Sequence, residues 1–325
     1  MMTMRRRQLI LTTCVALGVF LASELTAAAE DPGPHDWLNR MVGAVQTTDY
    51  EGTVIRLQNG VVDALKVVHV VSDGVIREKV IVQEGDGLEI IRNGNEVQCI
   101  LPDKKSVLIE EWNDQSTLFS TLPSNDIRFG SEYDVSIVRE ERVAGRKTVL
   151  LAIRPHDSFR FGHRIWLDRE TGFPLKTTLV GVQGEVIEQV KFADISIGQK
   201  IHPSVLAPSI DIASFSWFSS QKRAISQVVE TEWSSDSLPP GFRVVSMSTE
   251  EVPGQQEPLV HIMYSDGLAN VSVFIARQKN NNPARSSRVG SSNSFSIRSG
   301  DYQVTAVGEV PADTVQNIAI SMRRN

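Results

Sequence analysis

The chain has 325 residues, with 33 lysines and arginines against 39 aspartates and glutamates, a formal net charge of −6 at pH 7. An acidic chain without a lysine and arginine stripe is a poor nucleic-acid binder, because phosphate contacts need clustered positive charge. The length is sufficient for two domains that each bury their own hydrophobic core.

The N-terminal segment has the pattern of a secretory signal peptide. Arginines at 5–7 precede an apolar stretch at 9–22, and small residues follow at 27–29. The apolar stretch is too short to span a bilayer core of about 30 Å. We therefore expect cleavage near Ala29 and export of the remaining chain; an uncleaved N-terminal anchor is the alternative.

Cys99 would be the single cysteine left after this cleavage, so an internal disulfide is excluded. It lies in an apolar, strand-like stretch, "EVQCILPD". We interpret it as a buried strand residue, and a reactive thiol is the alternative.

A short amphipathic helix is predicted at the start of the exported chain. Leu38, Met41, Val42 and Val45 lie at positions i, i+3, i+4 and i+7, which places them on one helix face. Pro34 suits the first turn of this helix.

The region that follows is predicted to be almost entirely β-strand. Its first strands are separated by four dipeptides that tolerate the positive φ angles of tight hairpin turns. These are Asn59-Gly60, Asp73-Gly74, Asp86-Gly87 and Asn93-Gly94. After a polar break at 113–130, with a short helix expected near Leu118, strands resume to give roughly ten, too many for a flat sheet. We expect an open, strongly curved, barrel-like antiparallel sheet with helices against its concave face and an apolar groove.

The serine-rich and aromatic segment at 211–222 is predicted to link two domains. A large domain at 30–210 would contain the curved sheet, and a small domain at 223–325 would contain a sheet backed by one C-terminal helix. The expected fold class is therefore mainly β with few helices (α+β). Within the small domain, two alternating apolar runs flank Ser265-Asp266-Gly267 and predict a β-hairpin.

Patterns typical of catalytic, nucleotide or metal sites are not found in the sequence. It contains no G-x-S-x-G, H-E-x-x-H, P-loop or G-x-G-x-x-G motif. Its histidines do not pair at the spacings that favour shared metal ligation. We therefore expect no enzymatic activity, no catalytic residues, no cofactor and no metal. An exported hydrolase whose catalytic groups are far apart in sequence is the alternative.

Four apolar side chains of the large domain are candidates for lining the expected groove. Phe159, Phe161 and Trp166 lie close together in the stretch "SFRFGHRIW", and Leu179 follows on a later strand. An apolar groove with a few polar groups at its rim suits an apolar ligand. Core packing is the alternative role for each of these residues.

Four longer stretches resemble the RseB/MucB family of periplasmic regulators of envelope-stress sigma factors. They are residues 50–69, 160–189, 263–274 and 301–322. The matching stretches occur in the family's order and include both expected domains. The resemblance therefore covers most of the exported chain.

This resemblance implies a fold, a location and a partner. It implies a large domain similar to the lipoprotein carriers LolA and LolB, with an apolar cavity. It implies that the protein lies in the periplasm and holds the periplasmic segment of a membrane anti-sigma factor of the RseA/MucA type, which it protects from a site-1 protease. Mislocalised lipopolysaccharide or lipoprotein acyl chains would compete and release this segment. The family supplies no catalytic residues and leaves homo-oligomer formation open.

The hairpin of the small domain is a candidate for contacting this partner. An exposed hairpin edge could accept an extended peptide by strand addition. The partner-binding candidates are Tyr264, Leu268, Val271 and Val273. Two alternatives are kept: the hairpin forms only the domain core, or the whole protein is a lipid or lipoprotein carrier of the LolA/LolB type.

Overall fold

Two β-sheets make up most of the structure, a computed structural model that describes residues 31–111, 131–219, 231–251, 257–278 and 283–325. The larger sheet has 12 strands and the smaller has six. No helix in these ranges is long and apolar enough to cross a membrane. The predicted signal peptide and the short helix expected near Leu118 lie outside the described residues.

The larger sheet follows one helix, α1 (Pro34–Thr47). Its neighbouring strands run in the order β12-β6-β5-β4-β3-β2-β1-β11-β10-β9-β8-β7, and all pairs are antiparallel except β12 with β6. The strands are β1 (Tyr50–Gln58), β2 (Val61–Ser72), β3 (Val75–Val82), β4 (Glu89–Asn93), β5 (Glu96–Leu101), β6 (Ser106–Glu111), β7 (Tyr133–Val143), β8 (Arg146–Pro155), β9 (Gly162–Asp168), β10 (Pro174–Val180), β11 (Val186–Ile197) and β12 (Ser216–Ser219).

The smaller sheet runs in the order β14-β15-β16-β19-β18-β17, and a separate two-stranded pair joins β13 to β20. The remaining elements are β13 (Trp233–Ser235), β14 (Arg243–Glu250), β15 (Leu259–Ser265), β16 (Asn270–Arg277), β17 (Arg285–Val289), β18 (Ser292–Ser299), β19 (Tyr302–Gly308), α2 (Ala312–Ser321) and β20 (Met322–Arg324). The predicted class, a large curved sheet plus a small domain of sheet and helix, is confirmed.

The predicted hairpin turns form where Asn-Gly and Asp-Gly occur. Asn59 and Gly60 have φ angles of 52° and 78°, and Asp73 and Gly74 have 54° and 74°. Two consecutive positive φ angles are typical of a turn whose twist matches that of the flanking strands. The turns therefore set the register of β1 with β2 and of β2 with β3.

Helix α1 packs its apolar face on the larger sheet, as predicted. Leu38 and Met41 are fully buried, in one hydrophobic cluster with Tyr50, Phe173 and Phe192. Each such burial contributes about 1.5–3 kcal/mol. Along this part of the sheet the inner face is therefore covered by the helix.

The end of the predicted large domain and the described part of the predicted linker both lie against the larger sheet. Lys79 Nζ donates to the Ala207 carbonyl at 2.5 Å and to Ser209 Oγ at 2.7 Å. The Ser209 amide donates to Glu89 Oε2 at 2.9 Å. Strand β12 then pairs with β6, and its Phe218 side chain is exposed. The chain is thus attached to the large domain as far as residue 219.

The hairpin of the small domain is not at a sheet edge. Strand β15 pairs with β14 and β16, and β16 pairs with β15 and β19. The expectation of an exposed hairpin edge is therefore wrong, because neighbouring strands already use its backbone hydrogen bonds. The edges of this sheet are β14 and β17.

Candidate functional site at the domain seam

Among the described residues, two groups of polar side chains dominate the seam where the two domains meet. We call them the Arg160 contact and the Glu188 contact, after the large-domain residue at the centre of each. Both contacts join side chains that are more than 100 positions apart in the chain.

The Arg160 contact is a buried ion pair between the domains. Arg160 precedes β9, and its Nη1 donates to Oδ2 of Asp266, in the β15–β16 turn, at 2.6 Å. Both side chains are 0% exposed. Tyr133 Oη donates to the same Asp266 oxygen at 2.8 Å. The remaining guanidinium donors bond Asp157 and the Pro240 carbonyl. A buried charge is tolerated when every polar atom around it has a partner, which holds for this guanidinium.

Asp266 also forms hydrogen bonds within the hairpin turn, and these fix the position of its carboxylate. Its other oxygen, Oδ1, accepts from the Leu268 and Ala269 amides at 2.9 Å and 2.7 Å. This is the local hydrogen bonding by which aspartate stabilises turns. Leu268 itself packs against the hydrophobic cluster of the large domain. One carboxylate therefore both closes the turn and docks the small domain.

Burial perturbs the titration of groups near the Arg160 contact. Burial and the neighbouring Asp266 charge raise the pKa of Tyr133, so its hydroxyl stays protonated and donates. Burial lowers the pKa of His163 to about 4, although the Asp266 charge opposes this effect. The histidine is therefore neutral at physiological pH.

Further contacts close the same end of the seam. Thr314 Oγ1, in α2, donates to the Phe159 carbonyl at 2.7 Å. Gly241 has a φ of +80°, and a Cβ placed there would lie 2.8 Å from Cδ of Glu132. Only glycine adopts this backbone conformation without strain while allowing so close an approach.

The Glu188 contact joins two carboxylates through one hydroxyl. Glu188 lies on β11 and Glu309 follows β19. Ser291, in the β17–β18 turn, contacts Oε2 of Glu188 at 3.1 Å and hydrogen-bonds Oε1 of Glu309. Gln58 Nε2 also donates to Oε2 of Glu188, at 2.7 Å. Burial and, to a smaller extent, the Glu188 charge raise the pKa of Glu309, although the Ser291 hydrogen bond acts in the opposite direction.

A pocket of about 240 Å³ lies beside the Arg160 contact, at the ends of β8, β9 and β10. Pro155 and Val180 contribute apolar walls, and Arg160 also lines it. The lining residues Arg154 and Arg164 are exposed, and neither forms an ion pair with a carboxylate of the described ranges. The pocket therefore combines apolar surface with free positive charge. Groups of three or more metal-ligating side chains are not found in those ranges.

The four groove candidates are divided between the two faces of the sheet. Phe161 and Leu179 are buried together in one small cluster. Trp166 follows Ile165 of the inner core, so strand alternation places it on the opposite face, where its Nε1 donates to Oε2 of Glu141. Phe159 is half-buried at the seam. Lining of an acyl groove stays a prediction for all four.

The four partner-binding candidates lie at or near the hairpin. Tyr264 is 1% exposed, and Val271 and Val273 are fully buried in the core of the small domain. Leu268 packs against the large domain. A direct role in partner binding stays a prediction. Their observed contacts hold the small sheet together and hold it against its neighbour.

The residues that form the seam were not predicted from the sequence. Asp266 was recognised only as a turn residue, and Arg160, Glu188 and Glu309 were not singled out. Asp266 sits in a Ser-Asp-Gly turn between two buried strands, a signal for a turn but not for its distant partner. No local pattern could have paired it with Arg160.

Comparison with known proteins assigns the chain to a family. The family model for the MucB/RseB N-terminal domain matches residues 33–210, and that for the MucB/RseB C-terminal domain matches residues 227–323. The sigma factor AlgU regulatory protein MucB of Pseudomonas aeruginosa is 32% identical, over 94% of this chain and 95% of that protein. The sigma-E factor regulatory protein RseB of Salmonella typhimurium is 25% identical, over 95% of each.

Solved structures agree with this assignment. The MucA/MucB complex structure of Pseudomonas aeruginosa has a TM-score of 0.68 and 32% identity, covering 90% of this chain and 99% of that chain. A crystal structure of MucB has a TM-score of 0.59 and 30% identity, covering 90% of this chain and 98% of that chain. The chain belongs to the MucB/RseB family.

Proposed function

We propose that this protein is a periplasmic, non-enzymatic negative regulator of an envelope-stress sigma factor. It binds the periplasmic segment of a membrane anti-sigma factor and shields it from site-1 proteolysis. The observation that carries this proposal is the match of both family domains, in order, over most of the chain. The relatives are named as sigma factor regulatory proteins, and one structure is named as MucB in complex with MucA(peri).

The docked arrangement of the two domains is the form that binds the partner. The TM-score is 0.68 with the structure of the MucA/MucB complex and 0.59 with a crystal structure of MucB. Identity and coverage are nearly equal in the two comparisons. The seam would then keep both domains in the orientation that the partner requires.

Release by mislocalised lipopolysaccharide or lipoprotein would act at the pocket beside the Arg160 contact. Its exposed Arg154 and Arg164 suit the anionic groups of such a ligand, and Val180 and Val182 offer apolar contact. At about 240 Å³ the pocket is below the roughly 300–1,000 Å³ typical for drug-sized ligands. It would therefore hold one anionic group and its nearest carbons, not a whole lipid.

Binding can be measured by calorimetric titration of the purified protein with the periplasmic segment of its own anti-sigma factor. We expect saturable binding that falls when lipopolysaccharide is added. Asp266→Ala should weaken binding at least tenfold, because it breaks the Arg160 contact. Asp236→Ala removes an exposed aspartate of the same domain, paired with Arg323, and should leave binding unchanged. Absence of binding by the unmodified protein would contradict the proposal.

A lipid carrier of the LolA/LolB type is the second candidate, favoured by the same pocket. A carrier does not require the small domain. Removal of residues 223–325 should therefore abolish binding of the anti-sigma segment and spare lipid binding if the protein is a regulator. Unchanged binding of the segment by the shortened chain would contradict the two-domain mechanism.

A further inference from the structure

At the Glu188 contact, unlike at the Arg160 contact, the hydrogen bonds depend on the protonation state of a carboxyl group. A serine hydroxyl carries one proton and can donate it to one acceptor at a time. Ser291 nevertheless lies within hydrogen-bond distance of carboxylates from both domains. Both of its contacts become hydrogen bonds only if one carboxyl group is protonated and donates to the serine oxygen.

Glu309 is the carboxyl group that takes the proton. Glu188 accepts a second hydrogen bond from Gln58 Nε2, which favours its ionised form. Within the described ranges, the side chain of the half-buried Glu309 has Ser291 as its hydrogen-bond partner. Burial raises the pKa of Glu309, the Ser291 hydrogen bond opposes this in part, and the Glu188 charge raises the pKa further.

Charged groups on the surrounding elements do not neutralise the pair. Arg56 on β1 pairs with Asp63 on β2 at 2.9 Å. Arg288 on β17 donates to the Gly290 carbonyl at 3.1 Å. In the described ranges, Glu188 and Glu309 form no ion pair with lysine, arginine or histidine. Two further basic residues lie on these strands, Lys191 on β11 and Arg285 on β17, and neither forms an ion pair with Glu188 or Glu309 in the described ranges. Glu185, next to β11, and Asp313, in the first turn of α2, are acidic.

We propose that docking of the small domain onto the large domain takes up a proton at the Glu188 contact, so that acidification tightens the seam. In the undocked state Glu309 faces water and has an ordinary pKa, near about 4.3. In the docked state its pKa is higher. The stabilisation is therefore fully present below the undocked pKa, and it is lost as pH rises through the docked pKa.

The consequence is a domain equilibrium coupled to external acidity. A single coupled proton changes the ratio of docked to undocked protein by at most about tenfold per pH unit. Neutral and alkaline conditions leave two negative charges facing each other and favour separation of the domains. Acid conditions convert this repulsion into a closed hydrogen-bond chain from Glu309 through Ser291 to Glu188.

The proposal is tested by measuring the distance between the domains as a function of pH, without any partner. Spin labels at Lys104→Cys and Asn317→Cys, both exposed, report this distance in protein with Cys14 and Cys99 replaced by serine. Between pH 8 and pH 5 we expect the docked fraction of the unmodified seam to rise. Glu309→Gln should flatten this dependence, because a neutral amide mimics the protonated state at every pH.

Two further variants keep the test decisive. Glu188→Gln removes the like charge, so it should raise the docked fraction at pH 8 and reduce the pH dependence. Glu84→Gln makes the same chemical change at an exposed turn and should behave like the parent. A docked fraction independent of pH in the parent, or a full pH dependence in Glu309→Gln, overturns the proposal. Because no partner is present, either result leaves the proposed regulatory function untouched.

Discussion

The two contacts of the domain seam bury charge in opposite ways. At the Arg160 contact a guanidinium and a carboxylate neutralise each other, and neighbouring donors and acceptors complete their hydrogen bonds. At the Glu188 contact two carboxylates share one hydroxyl. The first contact specifies how the domains dock over the physiological pH range. The second makes the strength of docking depend on a proton.

The largest expected effect is at the Arg160 contact. Asp266→Ala removes the fully buried charged partner of Arg160 and leaves only the partly exposed Asp157, so it should lower the free energy of unfolding by about 3–5 kcal/mol. Urea denaturation measures this change, and Asp236→Ala, at an exposed pair, should cost less than about 1 kcal/mol. Combining Asp266→Ala with Arg160→Met should restore part of the loss. A loss for Asp266→Ala as small as that of the control would show that the contact does not hold the seam.

Glycines at both contacts should give the next largest effect. Gly241 and Gly290 have φ angles of +80° and +63°, and a Cβ would lie 2.8 Å from Cδ of Glu132 or 2.6 Å from Nε2 of Gln58. Alanine in this conformation costs roughly 1–2 kcal/mol before any clash. Gly300→Ala, at a φ of +60° with open space around it, is the matched control for backbone strain alone. Gly241→Ala and Gly290→Ala should therefore lose more stability than this control, and equal losses would argue against close approach of the domains.

Removing the shared hydroxyl should have a smaller effect. Ser291→Ala deletes one net hydrogen bond, worth about 0.5–1.5 kcal/mol, while both carboxylates stay in place. Thermal unfolding measured at pH 5 and at pH 8 should show the larger loss at pH 5, where the hydrogen-bond chain is complete. Ser286→Ala removes an exposed hydroxyl of β17 in the same domain and should change neither value. Equal losses at both pH values would mean that no proton is shared.

The smallest effect near neutral pH is expected from His163. Its pKa of about 4 lies below the ordinary histidine value, so the folded state favours the neutral ring. This contribution is present above the unfolded pKa, near about 6.5, and is lost as pH falls toward 4. Its sign is opposite to that of Glu309, so acid weakens one end of the seam while it tightens the other. Titration of the ring by NMR checks the value, and a midpoint near 6.5 would contradict the burial argument.

Much of the fold was predictable because local rules determine it. Asn59-Gly60 and Asp73-Gly74 tolerate the positive φ angles that connect β1, β2 and β3. Leu38 and Met41 repeat at the helical period, so the buried face of α1 could be identified. These features depend on neighbours within a few positions of the chain.

The seam was not predictable for a physical reason. Arg160 and Asp266 are separated by 106 positions, and their pairing depends on how two finished domains dock. The hairpin edge was mispredicted because alternation in β15 and β16 shows which face is buried but not which strands lie beside them. Trp166 was grouped with Phe161 by closeness in sequence, although strand alternation sends it to the other face of the sheet.

The anchoring of residues 207–219 on the larger sheet limits how far the small domain can travel. Lys79 and β6 hold the chain up to Ser219, and the small domain resumes at Trp233 in β13. Even if fully extended, the segment that connects Ser219 to Trp233 would span at most about 50 Å. An undocked small domain therefore stays at a high effective concentration near its own docking surface. Re-docking of the small domain is an intramolecular event. Its rate should therefore not depend on the concentration of the protein in the cell.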